Sequence, residues 1–258
     1  MKLLLHYFSM HIKVYLEYKM NFFLTMIAQV LILGTELFAV YTLFDKFELL
    51  EEFNVNYLFL VFAINWLGFS LAETFGRGFD EFKKLMKKGG FDILLIRPRN
   101  IFLQILGNEF ALHKIGRVIA SFYLLVVSVI NLIPEITLDK ILLVILMVLG
   151  DFTIIVSLFI FGAFFVFFTV EGLEFINVFT NGTKQVNEYP ISLYHKAVGF
   201  IFTFIIPIAL CNYYPIEYLV NNSNSLIYFL MPFASLIILG ISVLVFNLGL
   251  KHYSSTGS

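Results

Sequence analysis

The chain has one cysteine, Cys211, which excludes an internal disulfide and any cysteine-based zinc site. Charge is also scarce. Charged residues make up 14% of the sequence, against roughly 25% in an ordinary soluble domain. The net charge is −1, so no basic excess points to a nucleic-acid partner. The histidines His6, His11, His113, His195 and His252 are scattered, and none has metal-ligand spacing within one helix. Catalytic motifs are missing too. There is no glycine-rich phosphate loop. The nearest string, NGTK at 181–184, lacks the first glycine and the Ser or Thr after lysine, and reads as a polar turn in an inner loop. HExxH, GxSxG and paired CxxC are absent, and no serine, histidine and acid set can be assigned. The chain is therefore expected not to be an enzyme, and to need neither metal nor cofactor of its own. No cleavable leader is expected either, because Lys2, His6, Lys13, Glu17 and Lys19 interrupt the first apolar stretch.

What the sequence has in excess is apolar surface. Hydrophobic residues make up 60% of its 258 positions and aromatic ones 18%. A soluble fold of this length cannot hide that much, and disorder is excluded for the same reason. The bilayer is the solvent that fits. A crossing helix needs about 20 mostly apolar residues. Six tracts qualify, at roughly 21–44, 55–76, 116–133, 140–169, 197–220 and 226–250. The expected fold is one all-α integral membrane domain over 1–258, with no soluble domain left over. No internal repeat stands out, which argues against a duplicated transporter half.

Lysine and arginine set the orientation. With the N-terminus inside, all of the 17 Lys and Arg residues except Lys46 and Lys140 fall on the inner side. Both termini are then cytoplasmic. The outer loops are acidic, with Asp45, Glu48, Glu51, Glu52, Glu135 and Asp139.

Two segments read as amphipathic rather than spanning. In 1–20, Lys2, His6, Ser9, Lys13 and Glu17 form one narrow polar stripe, as expected of an interfacial helix. In the long inner loop, Phe75, Phe79, Phe82 and Met86 step at helical spacing among Lys83, Lys84, Lys87 and Lys88. Gly89-Gly90 then stops that helix. Such a basic helix can rest on anionic lipid or dock a cytoplasmic partner.

Inside the spans, two acids stand out. Glu36 lies in the first. Asp151 lies in the fourth, about 16 Å along a helix from Lys140 and so near the midplane. A carboxylate there costs at least ~2.5–3.5 kcal/mol on insertion scales, and no Lys or Arg of a span is placed to pair with it. These acids line a polar path or bond to a neighbouring helix. Pro207 and Pro215 break the fifth span, giving either a kink or a re-entrant element. Phe164, Phe165, Phe167 and Phe168 wrap around a helix, so some face lipid.

Particular strings go further. The tract GGFDILLIRPRNIFLQILGNEFALHKIGR at 89–117 resembles the signature inner loop of ABC-2 type exporter permeases. The matching residues are Gly90, Phe91, Asp92, Leu94, Arg97, Pro98, Gln104, Gly116 and Arg117. The tract at 189–219 resembles the family's Tyr-Pro start of span five and its later Ile-Pro and Tyr-Pro pair, here Tyr189-Pro190, Ile206-Pro207 and Tyr214-Pro215. GLKHYSSTGS at 249–258 is similar to the family's closing tail, with His252 at a usually basic place. Glu36 matches no family motif. The resemblance runs over the whole chain and points to the small, six-span permeases, without specifying a substrate.

The resemblance implies a permease subunit of an ATP-binding cassette exporter in the plasma membrane. Two permeases, identical or sister chains, would form the path for a hydrophobic or amphipathic compound or peptide. Separate cytoplasmic ATPase subunits would carry ATP and Mg. Residues 1–20 would be the elbow helix. Phe79, Phe82, Lys83, Lys84, Met86, Lys87 and Lys88 would belong to the coupling element, with lipid headgroups as a second contact. An ion-coupled secondary transporter using Glu36 and Asp151, or a membrane immunity or sensor protein, are the competing readings.

Overall fold

The computed structural model describes residues 2–46, 55–132, 137–169, 173–221 and 226–253. Glu48, Glu51, Glu52, Glu135 and the tail after Tyr253 lie outside these. Among the described residues the protein is helical throughout and contains no strand. Helix α1 (Lys2–Glu17) is followed at once by α2 (Lys19–Lys46), then α3 (Val55–Phe75). Four short helices come next: α4 (Arg77–Asp80), α5 (Phe82–Lys87), α6 (Gly90–Leu95) and α7 (Ile101–Asn108). The long helices resume with α8 (Ile115–Leu132) and α9 (Leu138–Val166), followed by α10 (Leu173–Val186). Then come α11 (Lys196–Phe200), α12 (Ile208–Cys211), α13 (Ile216–Asn221), α14 (Ile227–Leu230) and α15 (Ala234–Lys251).

Five helical stretches are long and apolar enough to cross a membrane: Lys19–Lys46, Asn56–Phe75, Leu112–Leu132, Leu138–Val166 and Ile227–Lys251. Of these, α3 is the axis of the bundle. Leu60, Ile64 and Leu67 pack on Leu143, Met147 and Val148 of α9, and further along Phe69 and Ala72 pack near Ile154 and Phe159. The two helices are therefore parallel. By contrast, α2 and α15 expose Leu24, Leu31, Phe38, Leu236, Ile237 and Leu244, the side chains expected against lipid tails.

The short helices cap the end of the bundle where α3 and α9 finish. This end carries most of the Lys and Arg and is called the basic end below. Gly89 turns the chain between α5 and α6 with φ +65°, a left-handed conformation that side chains with a Cβ disfavour. The expected helix stop thus holds. Phe79, Phe82 and Phe91 face inward and meet Phe167 and Phe246. α1 lies along α7, with Phe8 against Phe75 and Phe110.

The expected fifth span at 197–220 is not a continuous helix. α11 runs into a π-helical turn at Ile201–Ile205, and the chain breaks at Ile206 and Pro207. Pro207 leaves no N–H for a helix to use. Tyr189, ahead of this tract, stacks on Phe44 near the C-terminal end of α2. Tyr218, beyond it, donates a 2.7 Å hydrogen bond to Asp139 at the start of α9. Both contacts lie at the end opposite the basic end, whereas Ile206 and Ile208 reach the cluster around Ile154 and Phe159. The tract dips into the bundle and returns to the same end.

Candidate functional site

Helix α10 occupies the place that hydropathy gave to the later tract. It runs antiparallel to α9: Asn177 and Asn181 share a cavity with Gly162, and Asn187 just beyond the helix reaches Asp151. The NGTK string is therefore part of a helix and not a loop turn. One face buries Thr180, Thr183, Lys184 and Asn187, while Asn177, Asn181 and Gln185 are exposed on another. Helical spacing of 3 and 4 produces both stripes.

The cavity, about 440 Å³, lies at the basic end between α3, α4, α5, α9 and α10. Its wall is polar: Glu73, Arg77, Asp80, Glu81, Lys83 and Lys84 on one side, Asn177, Thr180 and Asn181 on the other. Arg77 pairs with Asp80 and with Glu81, and Lys84 with Glu81 at 2.7 Å. Glu73 accepts from both Lys114 and Arg117, which locks α3 to the start of α8. Burial pushes the Asp80 carboxyl up from its ordinary value, and Arg77 opposes that shift without cancelling it. Arg77 itself is raised: burial pulls it down, but the carboxylates of Asp80, Glu81, Glu73 and Glu109 outweigh it. The same contact favours Arg77 more because Arg77 sees four acids, while Asp80 also faces the repulsion of Glu81 and Glu73.

Further into the bundle the polar band continues as a closed network. Lys184 Nζ lies 2.9 Å from Glu36 Oε2 and 3.8 Å from Glu188 Oε1. It also sits 4.3 Å from the centroid of the Trp66 ring, whose Nε1 donates to Glu188 at 3.2 Å. Asn65 donates to the Lys184 carbonyl at 3.0 Å, and Asn187 donates to Asn65 at 3.2 Å and to Asp151 Oδ2 at 3.1 Å. Gly68 makes this possible, since a Cβ there would lie 2.6 Å from the Cβ of Asp151. The expectation that no Lys or Arg is placed to pair with the span acids is thus corrected for Glu36 alone, which Lys184 reaches because α10 folds back along the bundle; Asp151 is met by the Asn187 amide instead.

A family model described as "ABC-2 family transporter protein" matches residues 30–257. The chain belongs to this family. It is a permease, a membrane transport component that is not itself catalytic, and such permeases normally work with ATP-binding subunits. No curated protein and no solved structure matches it.

The permease places its motif residues mostly at the basic end. Phe91 is buried, and Asp92 accepts a 2.9 Å hydrogen bond from the Tyr253 hydroxyl. Gln104 is buried and donates to the Leu94 and Arg99 carbonyls at 3.1 Å each, holding α6 against α7. Gly90 opens α6, while Arg97 and Pro98 are exposed. Pro190, Pro207 and Pro215 are buried in the far half. Of the expected coupling residues, Phe79 and Phe82 point into the core. Lys83 and Met86 are half-buried, and Lys84, Lys87 and Lys88 are exposed. Asp151 is wholly buried, whereas the Glu36 side chain is 36% exposed. Sequence reasoning missed Asn65, Trp66, Asn177, Asn181, Asn187 and Glu188. The signal was the polar spacing across 177–188.

Proposed function

We propose that the permease forms one half of the path of an ATP-driven exporter, with the cavity at the basic end as its cytoplasmic mouth. The single observation that carries this is the cavity itself. Its lining is charged and carboxamide-bearing, yet it sits against helices whose outer faces are apolar. Polar side chains at that depth belong beside water or cargo, not lipid. In this reading α10 is the sixth crossing segment alongside the five apolar helices. The basic end and both termini are then cytoplasmic, in accord with the charge bias of the sequence, and the membrane is the plasma membrane. Lys196 moves to the outer side and Lys184 into the bundle.

The basic end would receive a cytoplasmic ATP-binding subunit, which carries ATP and Mg. Lys84, Lys87 and Lys88 offer charge there, and the exposed Ile93, Leu95 and Ile96 offer apolar contact beside Arg97 and Arg99. α1 acts as the elbow, also touching lipid. A second permease, identical or sister, completes the path. The mixed lining suits an amphipathic compound or a peptide better than a pure hydrocarbon. ATP shifts the equilibrium between two access states only if the partner binds them with different affinity.

The test is a gentle pull-down of the tagged permease from its native membranes, followed by an assay for vanadate-sensitive ATPase. A co-purifying ATP-binding subunit with that activity supports the reading. A purified chain without one, from a preparation in which a known membrane complex survives the same detergent, rejects it.

A further inference from the structure

We propose that the network at the centre of the bundle is a proton-binding site, with Asp151 held as a neutral acid and a second proton held on Glu188 beside the Glu36–Lys184 pair. The argument is a charge count with geometry attached. Three carboxyl groups, Glu36, Glu188 and Asp151, converge there with one ammonium, that of Lys184.

The Lys184 ammonium can neutralise one carboxylate. Its contact with Glu36 is short, and Glu188 lies at the far side of the same ammonium. The Glu188 side chain is 7% exposed, so an ionised carboxylate there has little water to solvate it. One ammonium balances one carboxylate, and the buried second acid, Glu188, keeps its proton.

Among the described residues no cation pairs with Asp151. Its Oδ2 receives one amide hydrogen bond, from Asn187, while Oδ1 is buried without a partner. An ionised carboxylate needs several donors when removed from water, and here one oxygen has none. A proton removes the charge and most of that cost. Packing leaves no room for a larger ligand, because Gly68 brings α3 against Asp151 itself. The other ionisable groups facing the network are accounted for. Arg117 of α8 sits 5.4 Å from the Trp66 centroid, but Glu73 neutralises it. Tyr189 and Tyr194 lie beside Glu188, and the Cys211 thiol faces Asp151; none supplies positive charge.

The site spans α2, α3, α9 and the end of α10. Any motion that parts α2 from α10 lets water reach the buried Glu188, and a hydrated carboxyl ionises at neutral pH. Parting therefore releases the Glu188 proton, and higher pH favours the parted state.

The experiment is infrared spectroscopy of the purified permease in lipid nanodiscs at neutral pH, reading the deuterium-sensitive carbonyl stretch of protonated carboxyl groups. The wild type should show two such groups. Asp151→Asn should remove one and Glu188→Gln the other, so each variant loses about half of the band. Lys184→Met removes the ammonium and should raise the count to three. A wild-type spectrum without a protonated carboxyl overturns the proposal even where the variants fail to fold. So does a band that survives unchanged in a folded Asp151→Asn, Glu188→Gln double variant.

Discussion

The Lys184 ammonium reaches Glu36 at 2.9 Å across 148 positions of sequence, and so fastens α10 to α2. Elsewhere α2 leans mainly on α8 and is largely exposed. The pair is one-third open on the Glu36 side, so its coupling should fall below that of a fully buried pair. A double-mutant cycle of Glu36→Gln and Lys184→Met, read by thermal unfolding in detergent, should return a coupling of about 1–2 kcal/mol. Additive variants would show that the contact holds nothing.

Gly68 gives a separate packing prediction. A methyl group there would meet the Asp151 Cβ at 2.6 Å, the Phe152 N at 3.1 Å and the Val148 O at 3.2 Å. Backbone atoms cannot step aside as a flexible side-chain end can. Gly68→Ala should lower stability by about 1–3 kcal/mol through forced separation of α3 and α9. Gly34→Ala is the control, since its added Cβ meets nothing within 4 Å. Equal melting temperatures for the two variants would contradict the packing argument.

Much of the fold was legible because apolar length is a direct signal. The runs that became α2, α3, α8, α9 and α15 stand out by composition, and the polar stripe of α1 by period. The strings around Phe91, Asp92 and Pro98 located the basic end. What composition could not show was α10. Its Asn177, Thr180, Asn181, Thr183 and Lys184 lower the mean hydropathy to that of a loop, because their partners are in the cavity and the bundle and not in water. The apolar tract at 197–220 misled for the opposite reason. It is apolar enough to cross, but Pro207 turns it back. Glu36 and Asp151 stood out in the sequence as acids within apolar runs, while their partners depended on the course of α10.

Asp80 supplies a pH dependence. Its carboxyl is raised by burial, so the folded state holds its proton more tightly than the unfolded chain does. The stabilisation is fully present below the ordinary carboxylate range and is lost as pH rises through the raised value. Unfolding midpoints of wild type and Asp80→Asn, measured from acid to neutral pH, isolate this group. The wild type should lose ground relative to the variant as pH rises. A constant difference between them would remove Asp80 from the account.

The cavity at the basic end should be wet. Cys211 is the single cysteine and is fully buried, so it gives little background to thiol labelling. Asn177→Cys and Asn181→Cys should react with a charged, membrane-impermeant thiol reagent applied from the cytoplasmic side. Ala163→Cys, at a fully buried position of α9, should stay silent. Labelling of the Asn positions only from the outer side would reverse the assigned orientation. No labelling from either side would mean the cavity is sealed.

The last prediction concerns how ATP hydrolysis by the proposed partner would reach the bundle. Phe79 and Phe82 anchor the short helices in the aromatic cluster with Phe167 and Phe246, so a push on α5 is transmitted to α9 and α15 through packed rings. In the proposed exporter the charge offered to the partner is on Lys84, Lys87 and Lys88, which are exposed to the outside of that cluster. Reversing all three to Glu should leave the core packing intact, and with it membrane insertion and the melting temperature. It should at the same time weaken attraction to an acidic partner surface and uncouple ATP hydrolysis from transport. Phe82→Ala should act differently: it empties a buried aromatic site, costs about 3–5 kcal/mol and loosens the whole layer. Comparing the two variants in the native complex separates a docking charge from a transmitting anchor. Transport coupled as in the wild type, measured in the triple variant, would place the coupling surface elsewhere on the basic end.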